Sequence, residues 1–350
     1  MKRQSISHRH FLFCALLIIL TVTACGGGQK PVAPTTSQSN SNPATSAVTG
    51  SPVANTAGNA SGAQRAPGGQ NHLMVLLWGF IDKTGTVVIN PQFEAAQPFS
   101  QGLAAVRKDG MWGFIDSKGN IVIRPHYDDA TQFINDFAAV GIGEQWGFIN
   151  KQDRCVVSIG YKAVQPFSEH KAAVKPDKTW GYIDERGAML IPTKFSDANS
   201  FSEDLAPVQL DGRWGFIDEK GRLVIKNTFL EAHPFQDFLA DVIVDGQKPA
   251  LVDKVGNITY VDLLRLRSNF HEGMAMFQHS DSWGFVDESG NIAIDPEYDG
   301  VDQFSDGLAC VRMGMKKGYI NKQGQMVIKP QFDDAGRFSE EFAAVRVVVE

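Results

Sequence analysis

Phe99, Phe133, Phe167, Phe201, Phe235, Phe270, Phe304 and Phe338 recur at a nearly constant interval of about 34 residues over most of the chain. A fixed period of this length marks a repeat architecture, in which each unit is too small to bury its own apolar side and must share a core with its neighbours. A second register runs in step with the first. The six tryptophans, Trp78, Trp112, Trp146, Trp180, Trp214 and Trp283, each precede Gly and an aromatic residue, as in Trp112-Gly113-Phe114-Ile115-Asp116, and each lies 21 residues before a phenylalanine of the series. Two further copies lack the tryptophan. They read Pro249-Ala250-Leu251-Val252-Asp253 and Lys317-Gly318-Tyr319-Ile320-Asn321, and they keep the spacing to Phe270 and Phe338. The chain therefore carries eight units.

A period of 34 with a recurring tryptophan also suits paired helices, but the local pattern is that of strands. Leu103-Ala104-Ala105-Val106-Arg107-Lys108 leads through Asp109-Gly110 into Met111-Trp112-Gly113-Phe114-Ile115-Asp116. An Asp-Gly pair between two β-prone runs predicts a type I′ hairpin, and Asp211-Gly212 and Asp245-Gly246 predict the same. The next turn, Asp116-Ser117-Lys118-Gly119, puts a side-chain acceptor three residues before a Gly able to take positive φ. Seven copies share this spacing, and the third has Asn150 and Asp153 instead. A third strand, Ile121-Val122-Ile123, follows, and in four copies it runs into a proline (Pro91, Pro125, Pro296, Pro330). The polar stretch from Asp128 to Gln132 then reads as a short loop or helical turn.

Such units need neighbours to share a core. The first copy begins at Leu73-Met74-Val75-Leu76-Leu77-Trp78 without the preceding Leu-Ala-Ala-Val strand, and the last ends on Phe342-Ala343-Ala344-Val345-Arg346-Val347-Val348-Val349 without a following partner. Joining the two hides both edges. The expected fold is all-β, eight three-stranded meander units of about 34 residues closed into a propeller-like ring, with an open β-solenoid as the alternative.

The Trp-Gly copies resemble the WG-repeat (KWG-like) family, over about Leu73 to Glu350. The resemblance implies a β-rich fold and an interaction-type function, with no particular reaction.

The N-terminus belongs to a different kind of segment. Lys2, Arg3 and Arg9 precede an apolar run from Phe11 to Val22, which is too short to span a bilayer. Val22-Thr23-Ala24-Cys25 resembles the lipobox of bacterial lipoproteins. That resemblance implies a signal peptide over 1–24, diacylation of Cys25 as the mature N-terminus and, with Gly26 following, sorting to the outer membrane of a double-membraned cell. From 25 to 71 the chain is mostly Gly, Ser, Ala, Thr, Asn, Pro and Gln, with Lys30 and Arg65 as its only charges and no aromatic residue, the composition of a disordered tether. Such a coil reaches roughly 35–40 Å. The repeats occupy 72–350. The domain is expected in the periplasm or outside the cell, held to the envelope membrane by its lipid. Loss of the signal leaves 30 basic residues against 39 acidic ones, a balance of −9, which gives no electrostatic case for nucleic acid.

No catalytic or metal-binding constellation stands out. His72, His126, His170, His233, His271 and His279 fall at unrelated repeat positions, and there is no phosphate-binding glycine loop or nucleophile elbow. No cofactor is implied and no enzyme activity is expected, a hydrolase with a site composed between repeats being the remote alternative. The tryptophans read as core residues with glycine beside them for close packing, and a ladder of rings stacking on glycan or cell wall is the competing possibility. The eight phenylalanines of the series read as structural residues of the repeat. The turn aspartates read as turn formers rather than calcium ligands. Cys155 and Cys310 read as two separate buried thiols, with a long-range disulfide between them as the alternative. The sixth copy departs most, with Leu263, Leu264, Arg265, Leu266 and Arg267 forming an apolar-basic stretch on an acidic body, a candidate interaction patch. The expected role is a non-catalytic scaffold or ligand-binding module with a protein partner.

Overall fold

The computed structural model describes residues 74–260 and 270–349, and every regular element within them is a β-strand. The strands pair in chain order into eight small antiparallel sheets, the blades of a propeller-like ring. Blade 2 consists of Ala95–Ala96, Leu103–Lys108, Met111–Asp116 and Ile121–Tyr127, from the inner strand to the outer. Blades 3, 4 and 5 repeat it from Asp129–Ala130, Ala163–Val164 and Asp197–Ala198, blade 6 from Glu231–Ala232 and blade 8 from Gly300–Val301. Blade 7 has three described strands, Met274–His279, Ser282–Asp287 and Ile292–Tyr298. The three-stranded meander read from the sequence is corrected here to a four-stranded blade. Its added inner strand has only two residues, so a short unit can hold it. The stretch from Asp128 to Gln132, read as a loop or helical turn, holds this strand, Asp129–Ala130, and leads to Phe133 and the tight turn after it.

Blade 1 closes the ring. Val75–Asp82 and Val87–Phe93 join Phe342–Val349 and Asp334–Ala335 from the other end of the chain. The ladder runs without a break from Val75 opposite Val349 to Asp82 opposite Phe342. Both terminal strands thereby lose their free edges, which an open solenoid would leave exposed.

Hydrogen bonds between successive inner segments place them around the centre. Gln97 Nε2 donates to Ala130 O at 2.9 Å and Ser100 Oγ to Phe133 O at 2.6 Å. Ser339 Oγ donates to Phe99 O across the closure at 2.8 Å. The repeated phenylalanine just before these turns wedges against the blade behind it. Phe99 meets Phe80, Phe133 meets Phe114, and Phe167 meets Phe148. Phe201 meets Tyr182, Phe235 meets Phe216, Phe304 meets Phe285, and Phe338 meets Tyr319. In these seven copies the ring centroids lie 4.7 to 4.9 Å apart. Phe99, Phe133, Phe167, Phe201, Phe235, Phe304 and Phe338 are all buried. Phe270, in the copy that has Leu251 in place of the partner ring, is only half-buried, so the eighth member of the series departs from the other seven.

The Trp-Gly pair has a separate cause. Trp112 lies opposite Tyr127 and Phe114 opposite Ile123, so two steps along the third strand face four along the outer one. The extra residues form a bulge over Gly113, where a Cβ would sit 2.5 Å from Ile123 O and 2.6 Å from Pro125 N. The same obstruction, at 2.4 to 2.6 Å, meets Gly79, Gly147, Gly181, Gly215, Gly284 and Gly318. Blade 6 has Ala250 instead, and there the described outer strand pairs in simple register: Ala250 with Tyr260, Leu251 with Thr259, Val252 with Ile258.

Candidate functional site: the turn face

The second strand of each blade starts, and the third ends, at the same end of the ring, so two turns per blade share that face. The inner turn is a two-residue hairpin. Ser100 and Leu103 exchange both backbone hydrogen bonds, and Gln101 and Gly102 have φ of 54° and 85°. All eight blades repeat this type I′ geometry, through Asn135-Asp136, Glu169-His170, Glu203-Asp204, Asp237-Phe238, Glu272-Gly273, Asp306-Gly307 and Glu340-Glu341. Left-handed backbone costs an L-residue roughly 1–2 kcal/mol, and bonds to the neighbouring blade offset it. Glu340 accepts the N–H groups of Gln101 and Gly102, and Gln101 Oε1 accepts that of Asp136. Glu169, Glu203, Glu272 and Asp306 do the same for Asp204, Phe238, Gly307 and Glu341. The sixteen turn positions hold nine carboxylates and no Lys or Arg, which makes an electronegative inner crown.

The second ring of turns surrounds it. Asp116 Oδ1 accepts the N–H groups of Lys118 and Asn120 at 2.9 and 2.8 Å, and the Asp or Asn at this place does the same in every copy. In the third copy Asn150 supplies the acceptor, and Asp153 takes the glycine position at φ 59°. One oxygen of each of these side chains is thus committed to the backbone. Among the described residues no three His, Cys, Asp or Glu side chains gather as a metal site requires. Lysines of this outer ring reach inward: Lys83 to Glu341 at 2.7 Å, Lys151 to Asp136 at 3.0 Å, Lys254 to Glu203 at 3.0 Å and Lys322 to Glu272 at 3.2 Å. Asp204 and Asp237 have no ion pair among the described residues.

The opposite face carries the hairpins between second and third strands. Asp109-Gly110 and Asp211-Gly212 form them with both residues at positive φ. Asp245-Gly246 does not: Val244 pairs with Lys248, and Gly246 and Gln247 are the left-handed residues of a three-residue loop.

The residues singled out in the sequence are dispersed. Trp146 and Trp180 are buried, and Trp78, Trp112, Trp214 and Trp283 are half-buried beside the hairpins, so the tryptophans are less completely core than their register implied. The Arg346 guanidinium covers the Trp78 ring at 5.7 Å, and the Lys175 ammonium lies 5.8 Å from that of Trp180. Seven phenylalanines of the series, all but Phe270, are buried between blades just beneath the inner turns, where Phe201, Phe235 and Phe304 serve packing as Phe99 does. Cys155 and Cys310 form no disulfide with each other and lie apart, in the outer strand of blade 3 and the second strand of blade 8. Burial, with the Asp302 carboxylate nearby, pushes the Cys310 thiol up to about 12, which removes it from thiolate chemistry. His126 lies beside Asp153 and His170 beside Glu185, while burial lowers the pKa of His233 and His271. Cys25, the 1–24 and 25–71 segments and the candidate patch Leu263, Leu264, Arg265, Leu266 and Arg267 lie outside the described residues.

Two surface residues on this face escaped the motif search, Phe238 and Val255. Position-by-position comparison of the eight copies finds them, because each is the sole apolar residue at its place in a turn.

The family described as WG containing repeat matches residues 78–112, 112–145, 146–178, 180–214, 214–246, 283–316 and 318–347. The Pro249-Ala250 copy falls between the matched spans. Comparison with curated proteins finds no match. Among solved structures the chain is similar to the computationally designed Ika8 protein at 14% identity and a TM-score of 0.47, covering 74% of this chain and 96% of that one. It is similar also to Hsv2p of Kluyveromyces lactis, at 9% identity and a TM-score of 0.41 over 75% and 98% of the two chains. For BamB from Moraxella catarrhalis the identity is 10% and the TM-score 0.35, over 72% and 81%.

Proposed function

Since the chain belongs to the family of WG containing repeat proteins, we propose that it is a membrane-tethered envelope lipoprotein whose propeller acts without catalysis, as a scaffold for a protein partner. The anchor is Cys25, after a signal peptide over 1–24, and the segment to residue 71 is the tether. Two or more acyl chains on Cys25 give stable attachment where one would be marginal. The observation that carries the scaffold role is the division between skeleton and display. Wedge phenylalanines, bulge glycines and turn acceptors recur around the ring, whereas the second inner-turn residue runs Gly102, Asp136, His170, Asp204, Phe238, Gly273, Gly307, Glu341. A fixed frame with variable turns on one face is how rigid scaffolds present binding residues.

Metabolic labelling with a palmitate analogue, followed by membrane fractionation, tests the anchor. Label and membrane association are both lost in Cys25→Ala, and a protein that sediments with membranes unlabelled overturns it. Crosslinking in whole cells tests the scaffold. Glycan or cell-wall binding is the alternative, and it calls for exposed stacking rings, whereas the six tryptophans are buried or half-buried. Tryptophan emission that shifts on adding cell-wall saccharides would favour it.

A further inference from the structure

We propose that the turn face of blade 6 is a docking site for a basic peptide segment of a partner protein, one that sets an apolar side chain beside Lys or Arg. This rests on the scaffold function above and names its surface and ligand chemistry. The other blades act as controls within the same molecule. At the second inner-turn position seven copies have Gly, an acid or His, and blade 6 has Phe238, 72% exposed at φ 67°. A bulky aromatic residue in left-handed backbone is a strained arrangement, and here the ring points into solvent. In the outer turn the third residue is Thr84, Lys118, Gln152, Arg186, Lys220, Ser289 or Gln323 elsewhere, but Val255 in blade 6, 81% exposed.

These two departures meet in one patch. The Phe238 N–H donates to Glu203, and Lys254, next to Val255, places its ammonium 5.4 Å from the Phe238 ring centroid and 3.0 Å from Glu203. Lys254 is thus neutralised within the patch and steadies the ring without presenting free positive charge. Flanking it are the Asp204 and Asp237 carboxylates, which have no ion pair among the described residues, in a crown without Lys or Arg. An acidic ligand is repelled here, and a purely polar cation leaves the two apolar side chains unused. A segment with Lys or Arg beside an apolar side chain satisfies both halves, the ring taking the apolar group and the carboxylates the cation.

The test uses the full mature chain and a fluorescein-labelled peptide of alternating lysine and leucine with glycine spacers, followed by anisotropy at two salt concentrations. One control peptide has glutamate for lysine and another serine for leucine. Only the lysine–leucine peptide binds. Phe238→Gly with Val255→Ser weakens it about tenfold or more, equivalent to about 1.4 kcal/mol. The variant does not lower the melting temperature, because Gly102 and Ser289 already occupy these positions in other blades. Asp204→Asn with Asp237→Asn weakens binding several-fold and flattens its salt dependence. Equal binding by the Phe238→Gly, Val255→Ser protein, or by the glutamate peptide, overturns the proposal. So does self-association of the wild-type chain that this variant abolishes, since the patch is then an interface between copies. A benzophenone residue placed at 238, at 136 or at 315 on the opposite face, and irradiated in cells, separates the two claims. Adducts at 136 or 315 but not at 238 leave the scaffold standing and remove this site, whereas no adduct at any position removes both.

Discussion

Asp116 accepts two backbone N–H groups with one oxygen, and that contact shapes every outer turn of the ring. Asn150 and Asn321 perform the same task in two copies, so the acceptor matters more than the charge. Asp116→Asn is accordingly expected to leave the midpoint of thermal unfolding nearly unchanged, whereas Asp116→Ala costs roughly 1 kcal/mol, read from denaturant melts. Charge enters through pH. The side-chain bond from Thr84 lowers the pKa of Asp82, that from Asn120 lowers Asp116, and the backbone bond from Asn291 lowers Asp287. Groups depressed in the folded state stabilise it above the unfolded carboxylate range, and this is lost as pH falls through the folded value, below about 4. Asp241 acts with the opposite sign. It stands where blades 1 to 4 have Ala344, Ala105, Ala139 and Ala173, and burial pushes its carboxyl up to about 7. A raised carboxyl binds its proton more tightly in the folded state, so stability falls as pH rises from about 4 to about 7. Asp241→Ala is therefore expected to raise the melting temperature more at pH 8 than at pH 5. An equal change at both would show that the residue folds with its charge accommodated.

At the scale of elements the decisive feature is the bulge over the Trp-Gly glycine. Gly113→Ala places a methyl group 2.5 Å from Ile123 O, backbone that cannot rotate aside, and is expected to cost several kcal/mol by urea titration, about the range of core overpacking or more. Ala250→Gly, where the outer strand pairs without a bulge, is expected to change stability by less than about 1 kcal/mol. A similar loss at both positions would mean that the glycine serves some need other than clearance. The strands around this bulge were legible in the sequence, because each is long enough to show its apolar pattern and ends in a recognisable turn. The inner strand was not, since two residues such as Ala95–Ala96 have no period to detect. The inner turns were hidden for another reason. Asn135-Asp136, Glu203-Asp204 and Asp237-Phe238 adopt type I′ geometry without glycine, held by bonds to the next blade that no local pattern encodes. The Asp245-Gly246 pair gave a turn signal whose residues the extra Gln247 displaces. Phe238 and Val255 were readable by aligning the copies, but their shared location required the fold.

Across the whole molecule, stability depends on circular continuity. The phenylalanine wedges bind each blade to the one behind it, and the ladder between Val75–Asp82 and Phe342–Val349 joins the last copy to the first. Removing residues 342–349 leaves Val75–Asp82 with one open edge and strips Phe342 from its contact with Phe99. Loss of the cooperative transition, or a midpoint at least ~10 °C lower, is expected in a thermal melt. A midpoint within a few degrees of the intact chain would show that seven sealed blades suffice. That the copies form a ring was legible from the unmatched strands at the two ends, whereas the register of the closing ladder depended on packing.

The closure also orders events in time. Ser339 bonds to Phe99 across 240 residues of sequence, and the strand beginning at Val75, paired on one edge with Val87–Phe93, finds the partner for its other edge only in the final stretch of the described chain. A polypeptide delivered N-terminus first must carry that unsatisfied strand until synthesis has passed Phe342. A product that stops before Phe342 leaves that whole edge bare. The seam at Val75–Asp82 is therefore the place where a chain without Phe342–Val349 offers a bare strand edge, the kind of border that invites wrong pairing.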